Sequence, residues 1–395
     1  MESRISDNIY YLGANDRTTA RFEGMWPIPM GVSYNSYLVV GNEKSAIIDG
    51  VEVSHALSQI EAVRRILGDR QPDYLIINHM EPDHSGSIAI LRTAFPGITI
   101  VGNAQTLAMV KGYYGIDLNT LAVKNAECLP LGSDATLQFY ITPMVHWPET
   151  MMTLLKEREV MFTGDAFGCF GALNGAVLDS DMDVEPYILE MVRYYSCIVG
   201  KYGRFVQKAL ASLSGVGFHT VCPTHGPVWH EHLQRVVKLY DTLSRYQPLD
   251  DGATVVYGSM YGNTARIAEA VAEGLASAGV KNIAVHDASV SDLSYILSDI
   301  FRHRLLVLAA PTYSDGLFPP MAAVINAIVT RGVSNRRVAL FGSFTWAPKA
   351  LKEMTDALEA CDLEIVGTPM SIKQSPDAVS IAACREVGAQ LATLH

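Results

Sequence analysis

The sequence predicts an α/β protein of two domains, an α/β sandwich over residues 1–250 and a doubly wound parallel sheet over residues 251–395. Three observations support this prediction. Pro248 and Gly252 separate a helical pattern from a new strand, which indicates a domain boundary near residue 250. Strand-like segments dominate before that point, with helices between some of them. After it, strands and helices alternate regularly, as in an open parallel sheet.

Short apolar runs predict the strands, and apolar stripes at helical spacing predict the helices. In the first domain, the predicted strands are 8–12, 36–40, 45–49, 74–77, 98–101, 137–141 and 160–162, and the predicted helices include 60–67 and 87–95. In the second domain, the strands lie near 253–257, 282–286, 304–309, 337–341 and 363–367. Their helices lie near 264–278, 291–301, 320–331, 348–360 and 376–393. This order predicts helices on both faces of the second sheet.

The composition excludes several classes of protein. Hydrophobic residues make up 49% and charged residues 18% of the 395 residues, which is typical of a globular chain rather than a disordered one. A formal charge of −11 disfavours nucleic acid and anionic membranes as partners. The apolar run 305–310 is far too short to span a membrane, and the N-terminus lacks a secretory pattern. We therefore expect a cytoplasmic protein with no membrane partner.

The loop after the predicted strand 74–77 is dense in side chains that bind metals. His79, Glu81, Asp83 and His84 occur within a few residues of one another. Imidazoles and carboxylates crowded in this way have little to hold them together without a cation. The six cysteines form no CxxC pair, so that imidazole and carboxylate are the expected ligands.

Three later segments offer further ligands at the ends of predicted strands, namely His146, Asp165 and His225. Taken alone, a histidine or aspartate after a strand is usually an ordinary loop residue. Together with the dense loop, however, the set divides into two groups of four ligands if Asp165 is shared. His79 and Glu81 would then serve one metal, and Asp83 and His84 the second.

A second candidate site is predicted at the carboxyl ends of the strands of the second domain. Residues 254–267 form a strand, a glycine-containing loop and a helix, and the amide groups at a helix start bind anions. The loop lacks the lysine of a nucleoside-triphosphate loop, so a monophosphate is the better ligand. The residues predicted to form this cradle are Ser259, Met260, Tyr261, Gly262, Asn263 and Thr264.

Two further loops follow the third and fourth strands of the second domain. Ligands of doubly wound sheets bind at these strand ends. The aromatic side chains in the loops either stack on a flat ring or cover a helix end. The residues concerned are Pro311, Thr312, Tyr313 and Ser314 in one loop, and Ser343, Phe344, Thr345 and Trp346 in the other.

Both sets of motifs resemble those of the flavodiiron proteins, over nearly the whole chain. Residues 79–84 resemble the HxHxDH signature of the metallo-β-lactamase fold, and residues 259–264 resemble the phosphate loop of flavodoxins. The resemblance implies a metallo-β-lactamase-like αββα sandwich followed by a flavodoxin-like sheet that binds FMN. It implies that two iron ions are bound, one by His79, Glu81 and His146 and the other by Asp83, His84 and His225, with Asp165 as the bridge.

Two features depart from the usual patterns. Glu81 stands where the hydrolases of the metallo-β-lactamase fold have histidine, and a carboxylate there favours iron over zinc. Residues 345–348, Thr-Trp-Ala-Pro, replace a glycine-rich stretch common in flavodiiron proteins. The ring contacts of this second loop are therefore open, whereas the phosphate loop matches.

The resemblance also implies a function, in which dioxygen is reduced to water or nitric oxide to nitrous oxide with electrons delivered through FMN. It implies a head-to-tail homodimer or a dimer of dimers, with Trp147 and Glu81 on the electron route. Tyr195 resembles a tyrosine near the iron pocket that donates a proton or hydrogen bond, although a core aromatic residue fits equally well. The chain resembles the minimal two-domain class, in which we expect no additional rubredoxin or flavin-reductase module. The expected electron donor is a rubredoxin, a flavin reductase or a reduced deazaflavin coenzyme.

Two alternatives belong to other functional classes. One is a zinc-dependent hydrolase of the metallo-β-lactamase fold with an appended flavodoxin domain, which iron or zinc content would distinguish. The other is a pure electron carrier that uses only FMN, and it leaves the ligands at 79–84 unexplained.

Overall fold

The structure is a computed structural model that describes residues 4–393. The chain divides into two compact units. The first runs up to Tyr195 and includes Arg204–Asp241, and the second combines Ser196–Gly203 with the chain from Thr242 onward. The domain boundary near residue 250 stays a prediction. The first strand of the second unit's sheet begins at Asp250.

The first part of the chain is rich in short strands. They are β1 Arg4–Ser6, β2 Ile9–Tyr11, β3 Ala14–Asp16, β4 Arg21–Phe22, β5 Trp26–Pro27, β6 Val32–Tyr34, β7 Tyr37–Val40, β8 Ser45–Ile48, β9 Tyr74–Ile76, β10 Thr99–Gly102, β11 Thr120–Ala122, β12 Cys128–Pro130, β13 Thr136–Ile141, β14 Met151–Leu155, β15 Val160–Gly164 and β16 Thr220–Pro223. The helices are α1 Ala56–Leu67, α2 Pro82–Ser85, α3 Ile88–Ala94, α4 Ala104–Tyr114, α5 Glu185–Tyr194, α6 Gly203–Leu213 and α7 Leu233–Ser244.

Two mixed sheets form the centre of the first unit. One has the order β1-β2-β7-β8-β9-β10-β11 and the other the order β12-β13-β14-β15-β16. The sheets face each other, since the ring of Tyr37 on β7 lies 5.3 Å from that of Phe162 on β15. The Tyr37 hydroxyl also donates a hydrogen bond of 2.6 Å to the carbonyl of Pro223 on β16.

Helices cover the outer face of the first sheet, because α1, α3 and α4 turn apolar stripes toward it. A continuous buried cluster joins strand residues such as Leu75 to Val63 of α1, Leu91 of α3 and Val110 of α4. Two sheets with helices outside them form the predicted α/β sandwich.

The second unit is built on one parallel sheet. Its strands are β17 Asp250–Tyr257, β18 Ile283–Asp287, β19 His303–Tyr313, β20 Gly316–Leu317, β21 Arg336–Phe344, β22 Leu363–Ile365 and β23 Met370–Lys373. Its helices are α8 Asn263–Ser277, α9 Leu293–Arg302, α10 Pro319–Arg331, α11 Lys349–Leu358 and α12 Ala378–Thr393. The main order is β18-β17-β19-β21-β22, with β23 parallel to β21 and the short β20 antiparallel to β19.

Helices α8 and α12 pack closely because each has a glycine at the crossing. A Cβ atom on Gly274 would lie 2.0 Å from the carbonyl oxygen of Arg385, and one on Gly388 would lie 2.2 Å from that of Val271. The remaining contact is apolar, with Ile267 and Val271 of α8 in the same buried cluster as the sheet. Apolar burial on this face fixes the helix that begins at the predicted phosphate loop.

The predicted fold class is confirmed, and the differences concern short elements. Several strands were not predicted, including β3, β4, β5, β6, β11, β12, β14, β20 and β23. Most of them have only two to four residues, and β14 and β23 contain few strongly strand-forming residues. Neighbouring strands stabilise them, which a single sequence does not reveal. Within residues 4–393, no helix has the length and apolar character needed to cross a membrane.

Candidate functional site

Four predicted metal-binding segments meet at the ends of strands in the first unit. His79 and Glu81 follow β9 of the first sheet, whereas His146, Asp165 and His225 follow β13, β15 and β16 of the second. Because the two sheets face each other, their loops converge without breaking the ladder of either sheet. The short helix α2 begins with Pro82, a favoured first helical residue, and carries the remaining two side chains.

His79, Glu81, His146 and Asp165 form one buried group, which we call the first cluster. The Nε2 atom of His146 lies 3.1 Å from Oε2 of Glu81 and 3.0 Å from Oδ2 of Asp165. The Nε2 atom of His79 lies 3.2 Å from the same Glu81 oxygen. One potential ligand atom from each residue therefore lies within 4.8 Å of all the others, a spacing that a single cation can bridge.

Asp83, His84 and His225 form the second cluster. The Nε2 atoms of His84 and His225 lie 3.3 and 3.2 Å from Oδ2 of Asp83, and 3.0 Å from each other. Both imidazoles are fully buried. His84 therefore points its Nε2 atom into the cluster, as the sequence-based ligand set requires, although its role as a ligand stays a prediction.

Asp165 is placed between the two clusters. Its Oδ2 atom faces His146 of the first cluster, and its Oδ1 atom lies 3.0 Å from Nε2 of His84 in the second. The hydroxyl of Thr224 donates a hydrogen bond of 2.6 Å to Oδ1 and so fixes the carboxylate plane. This geometry suits the predicted bridging role.

Burial and charge act against each other in these clusters. Burial alone would lower the pKa of His146, but hydrogen bonds with Asp165 and Glu81 raise that pKa to about 9. Burial would raise the pKa of Asp165, but the imidazoles of His79 and His84 hold that pKa well below its usual range. The carboxylates and imidazoles therefore stabilise each other's charged forms, and a cation would replace those protons.

A buried network positions the strand end that leads into His79. Asp49 accepts hydrogen bonds from the backbone amide and the side-chain amide of Asn78, at 2.7 and 2.9 Å. The side-chain oxygen of Asn78 in turn accepts one from the hydroxyl of Thr153 on β14, at 2.7 Å. This network connects the two sheets directly behind the clusters and limits the movement of the ligand loop.

Aromatic rings surround His225 and form an apolar shell on that side of the second cluster. The rings of Phe22, Tyr34 and Tyr194 lie 5.3, 5.9 and 5.7 Å from the imidazole ring. The hydroxyl of Tyr194 is buried and has no hydrogen-bond partner within the part of the chain that the structure describes. A buried hydroxyl of this kind can donate a hydrogen bond to a group that lies beside it.

The ring of Tyr194, rather than that of Tyr195, lies beside the second cluster. The ring of Tyr195 packs edge-on against Tyr240 at 5.1 Å, whereas Tyr194 lies beside His225. Consecutive residues of a helix project about 100° apart, so only one of the two faces the cluster. The role predicted for Tyr195 stays a prediction, and Tyr194 is a second candidate for it on the same helical turn.

Trp147 borders the first cluster. Its ring lies 5.4 Å from that of His79 and 6.3 Å from that of His146, both nearly edge-to-face. The side chain is half-buried, so that it extends from the cluster toward the surface. Its predicted place on an electron route is compatible with this position and stays a prediction.

The structure adds two carboxylates that the motifs did not identify. Burial and the charge of Glu81 raise the pKa of Glu23 to about 7, and Glu23 accepts a hydrogen bond of 3.1 Å from the indole of Trp26. Glu149 accepts a hydrogen bond of 3.0 Å from His79. Glu149 stands three residues after His146, and this spacing was its only signal in the sequence; Glu23 had none.

The predicted phosphate and aromatic loops of the second unit line one cleft of about 390 Å³. All the predicted cradle residues line it except Gly262, and Ala347 and Gln374 are additional lining residues. Gly262 has a φ of +88° and precedes helix α8, where a residue with a Cβ atom would be strained. The cleft volume is within the usual range for small-ligand sites.

Hydroxyl groups form the polar part of this cleft. The hydroxyls of Thr264 and Ser343 lie 2.8 Å apart, and both residues are buried. The hydroxyl of Thr312 accepts hydrogen bonds from the amides of Lys349 and Ala350, at 3.1 and 3.2 Å, and so caps helix α11. Thr312 therefore has a structural role in addition to lining the cleft.

Aromatic side chains stand at the rim of the cleft. Tyr261 is 91% exposed and Trp346 is 77% exposed. The indole of Trp346 donates a hydrogen bond of 3.3 Å to Asp315, in the loop that also contains Tyr313. No lining residue among those described is charged, so that an anion in the cleft would depend on backbone amides and hydroxyls.

Comparison with family models supports both units. Residues 32–226 match the model described as ODP family beta lactamase, and residues 255–388 match the flavodoxin model. Together the two matches cover most of the chain. The predicted combination of a metallo-β-lactamase-like fold and a flavodoxin-like fold is thus confirmed.

Full-length relatives share this organisation. An anaerobic nitric oxide reductase flavorubredoxin of Escherichia coli O1:K1 / APEC is 28% identical over 394 residues, which cover 98% of this chain and 81% of that protein. The rubredoxin:oxygen oxidoreductase of Desulfovibrio gigas superposes with a TM-score of 0.93 at 26% identity, covering 99% of this chain and 98% of that one. A substituted flavo di-iron protein of Thermotoga maritima superposes with a TM-score of 0.90 at 28% identity, covering 98% and 97%.

Proposed function

Because the chain belongs to the flavodiiron proteins, we propose that it reduces dioxygen to water, nitric oxide to nitrous oxide, or both. Its cofactors are FMN and a pair of non-haem iron ions. The single observation that carries the proposal is the position of Asp165, whose two oxygens face two separate clusters of buried ligands. A lone metal would need only one of them.

The donor set fits iron. Seven side chains provide four imidazole nitrogens and three carboxylates, and this mixture suits iron better than an imidazole-rich zinc site. In the proposed assignment, His79, Glu81 and His146 hold one iron, Asp83, His84 and His225 hold the other, and Asp165 is shared. The iron pair would supply electrons to a small diatomic oxidant.

The protein's own contribution is to position these ligands and to keep water away. The imidazoles of the clusters are buried, and aromatic rings cover the side of His225. An apolar wall of this kind admits a neutral diatomic molecule more readily than an ion, and it strengthens hydrogen bonds inside the pocket. The buried hydroxyl of Tyr194 is the protein group that we propose to donate a hydrogen bond there.

We propose that FMN occupies the cleft of the second unit. Its phosphate would bind at the amino end of helix α8 with the hydroxyls of Ser259 and Thr264, and the exposed ring of Trp346 would contact the flavin. The helix amides and dipole stabilise an anion without a lysine. FMN takes up electrons in pairs and releases them singly, which suits an exchange with iron.

Electron delivery between the two sites is proposed to use a second copy of the chain. In a head-to-tail homodimer, or a dimer of dimers, the FMN of one subunit would approach Trp147 and the first cluster of the other. A rubredoxin, a flavin reductase or a reduced deazaflavin coenzyme would supply the electrons.

The test begins with metal and flavin analysis of the purified chain. We expect about two irons and one FMN per chain, and anaerobic assays with each donor should give turnover with dioxygen, nitric oxide or both. Comparison of kcat/KM for the two oxidants would identify the preferred substrate. A colourless protein that contains only zinc after growth with ample iron would refute the proposal and favour the hydrolase alternative.

A further inference from the structure

The two nitrogens of His79 face different partners. Its Nε2 atom points into the first cluster, 3.2 Å from Glu81, whereas its Nδ1 atom lies 3.0 Å from Oε1 of Glu149. If Nδ1 carries the proton and donates it to Glu149, then Nε2 keeps its lone pair for a metal. Glu149 thus selects the tautomer that the cluster needs.

Glu149 is itself held rigidly. The carboxylate is 1% exposed, and Oε1 also accepts a hydrogen bond of 2.9 Å from the backbone amide of Met80. The side-chain amide of Asn103 donates to the backbone carbonyl of Glu149, at 2.5 Å. The second carboxylate oxygen, Oε2, has no hydrogen-bond partner within residues 4–393. The Glu149 carboxylate therefore accepts its hydrogen bonds from His79 and Met80, both through Oε1.

Among the described residues, no carboxylate accepts a hydrogen bond from an Nδ1 atom of the second cluster. The Nδ1 atom of His225 lies 2.7 Å from the backbone carbonyl of Ser33, which is a neutral acceptor. The Nδ1 atom of His84 is buried and has no partner among the described residues. The two clusters therefore differ in what stands behind their ligands, although the ligands themselves are similar.

We propose that Glu149 is a positioning residue that makes the first cluster the tighter and more electron-rich of the two metal positions. This inference rests on the proposed function, because it concerns iron at these clusters. A carboxylate behind a metal-bound imidazole fixes the ring and raises its basicity. The iron ions held by the two clusters should consequently differ in how fast they are released and in their reduction potentials.

Charge supports the same conclusion. The three carboxylate ligands leave two ferrous ions with a formal charge of about +1, and Glu149 cancels that charge at close range. An added negative charge favours the more highly charged ferric form of the nearest iron, which is the one on His79. We therefore expect the iron of the first cluster to have the lower reduction potential.

The test compares Glu149→Gln and Glu149→Ala with the wild type and a matched control. Asp179→Asn is that control, since Asp179 is also buried, accepts backbone hydrogen bonds and faces an imidazole, that of His232, at 3.3 Å. Iron and FMN contents are measured first. Release of ferrous iron to a chelator is then followed in time, and 57Fe Mössbauer spectra are recorded at a series of solution potentials, with His225→Asn identifying the signal of the second cluster.

We expect Glu149→Ala to release the first-cluster iron about 10- to 100-fold faster than the wild type, with unchanged FMN content. Glu149→Gln keeps an acceptor oxygen but not the charge, so it should release iron at an intermediate rate and raise the potential of that iron. Asp179→Asn should match the wild type in both measurements.

The inference is overturned if both Glu149 variants release iron at the wild-type rate, or if the second-cluster iron is the one that loosens. If Glu149→Ala does not fold, the inference is judged on Glu149→Gln alone, by its rate of iron release and the reduction potential of its first-cluster iron. A wild type without an iron pair would refute the proposed function itself, and the first metal analysis detects that failure before any variant is compared.

Discussion

Replacing Asp165 with asparagine tests the shared position between the clusters. Asparagine keeps the size of the side chain but has one oxygen and one NH₂ group, and it carries no charge. Since the two oxygens of Asp165 face His146 and His84 separately, one cluster would meet hydrogen-bond donors in place of a ligand atom. Both clusters would lose the negative charge.

The size of the effect follows from the burial of the site. Removing one partner of a buried charge pair costs about 3–5 kcal/mol, because the other charge stays buried and unpaired. Asp165 is 1% exposed, so solvent does little to reduce this cost. At about 1.4 kcal/mol for each tenfold change, iron would bind roughly 10²- to 10⁴-fold more weakly.

The assay measures iron and FMN per chain and then turnover. We expect iron to fall from about two per chain to below one, oxidase and nitric oxide reductase turnover to disappear, and FMN to stay bound. Asp179→Asn removes a buried carboxylate elsewhere in the same unit and should keep both irons. Full activity with two irons in the Asp165 variant would refute the shared-ligand assignment.

Three further predictions concern the aromatic rings around His225, the cleft of the second unit and the crossing of helices α8 and α12. Tyr194→Phe should lower kcat at least tenfold without lowering Tm, because the lost hydroxyl has no partner among the described residues. Thr264→Val should weaken FMN binding about tenfold in a fluorescence titration, since it removes the hydroxyl beside Ser343. Gly274→Ala should cost about 1–3 kcal/mol in urea unfolding, because its Cβ atom would collide with the Arg385 carbonyl.

Each of these predictions has a contrasting outcome. If Tyr195→Phe lowers kcat and Tyr194→Phe does not, the original sequence-based prediction is the better one. Iron loss from Thr264→Val would mean that the substitution acts beyond the flavin cleft. Gly112 lies in helix α4 with open space around it, so that Gly112→Ala should be neutral or stabilising by up to about 1 kcal/mol. Equal losses at Gly112 and Gly274 would contradict the collision argument.

The sequence predicted that the loops of the two clusters come together, because the information that indicates it is local. His79, Glu81, Asp83 and His84 stand close together after one buried strand, and the order of strands places the later ligands at neighbouring strand ends. The regular alternation after residue 250 likewise predicted each helix and main strand of the second sheet. The positions of residues at strand ends can be predicted because the preceding strands are apolar and buried, and their burial fixes where each strand ends.

The groups behind the ligands could not be predicted in this way. Whether Tyr194 or Tyr195 faces the cluster depends on the rotation of helix α5 about its axis, and their neighbours in sequence are similar. The contact between Glu149 and His79 depends on which imidazole nitrogen points inward, which only the three-dimensional arrangement decides. Such residues contact ligands that are distant in sequence, and their own sequence surroundings have no distinctive pattern.

The two sites solve opposite physical problems on one chain. In the proposed function, the burial of the clusters keeps water and larger reactants away from iron that reduces a small molecule. The cleft of the second unit has exposed rings at its rim, those of Tyr261 and Trp346, which in the proposed function leave the flavin accessible to an electron donor. A single open site could not satisfy both requirements, since access for a protein donor would also admit water to the iron. Separate domains allow each site its own degree of burial. In the first unit, Trp147 is half-buried and lies beside His79, so that its side chain extends from the buried first cluster toward the surface.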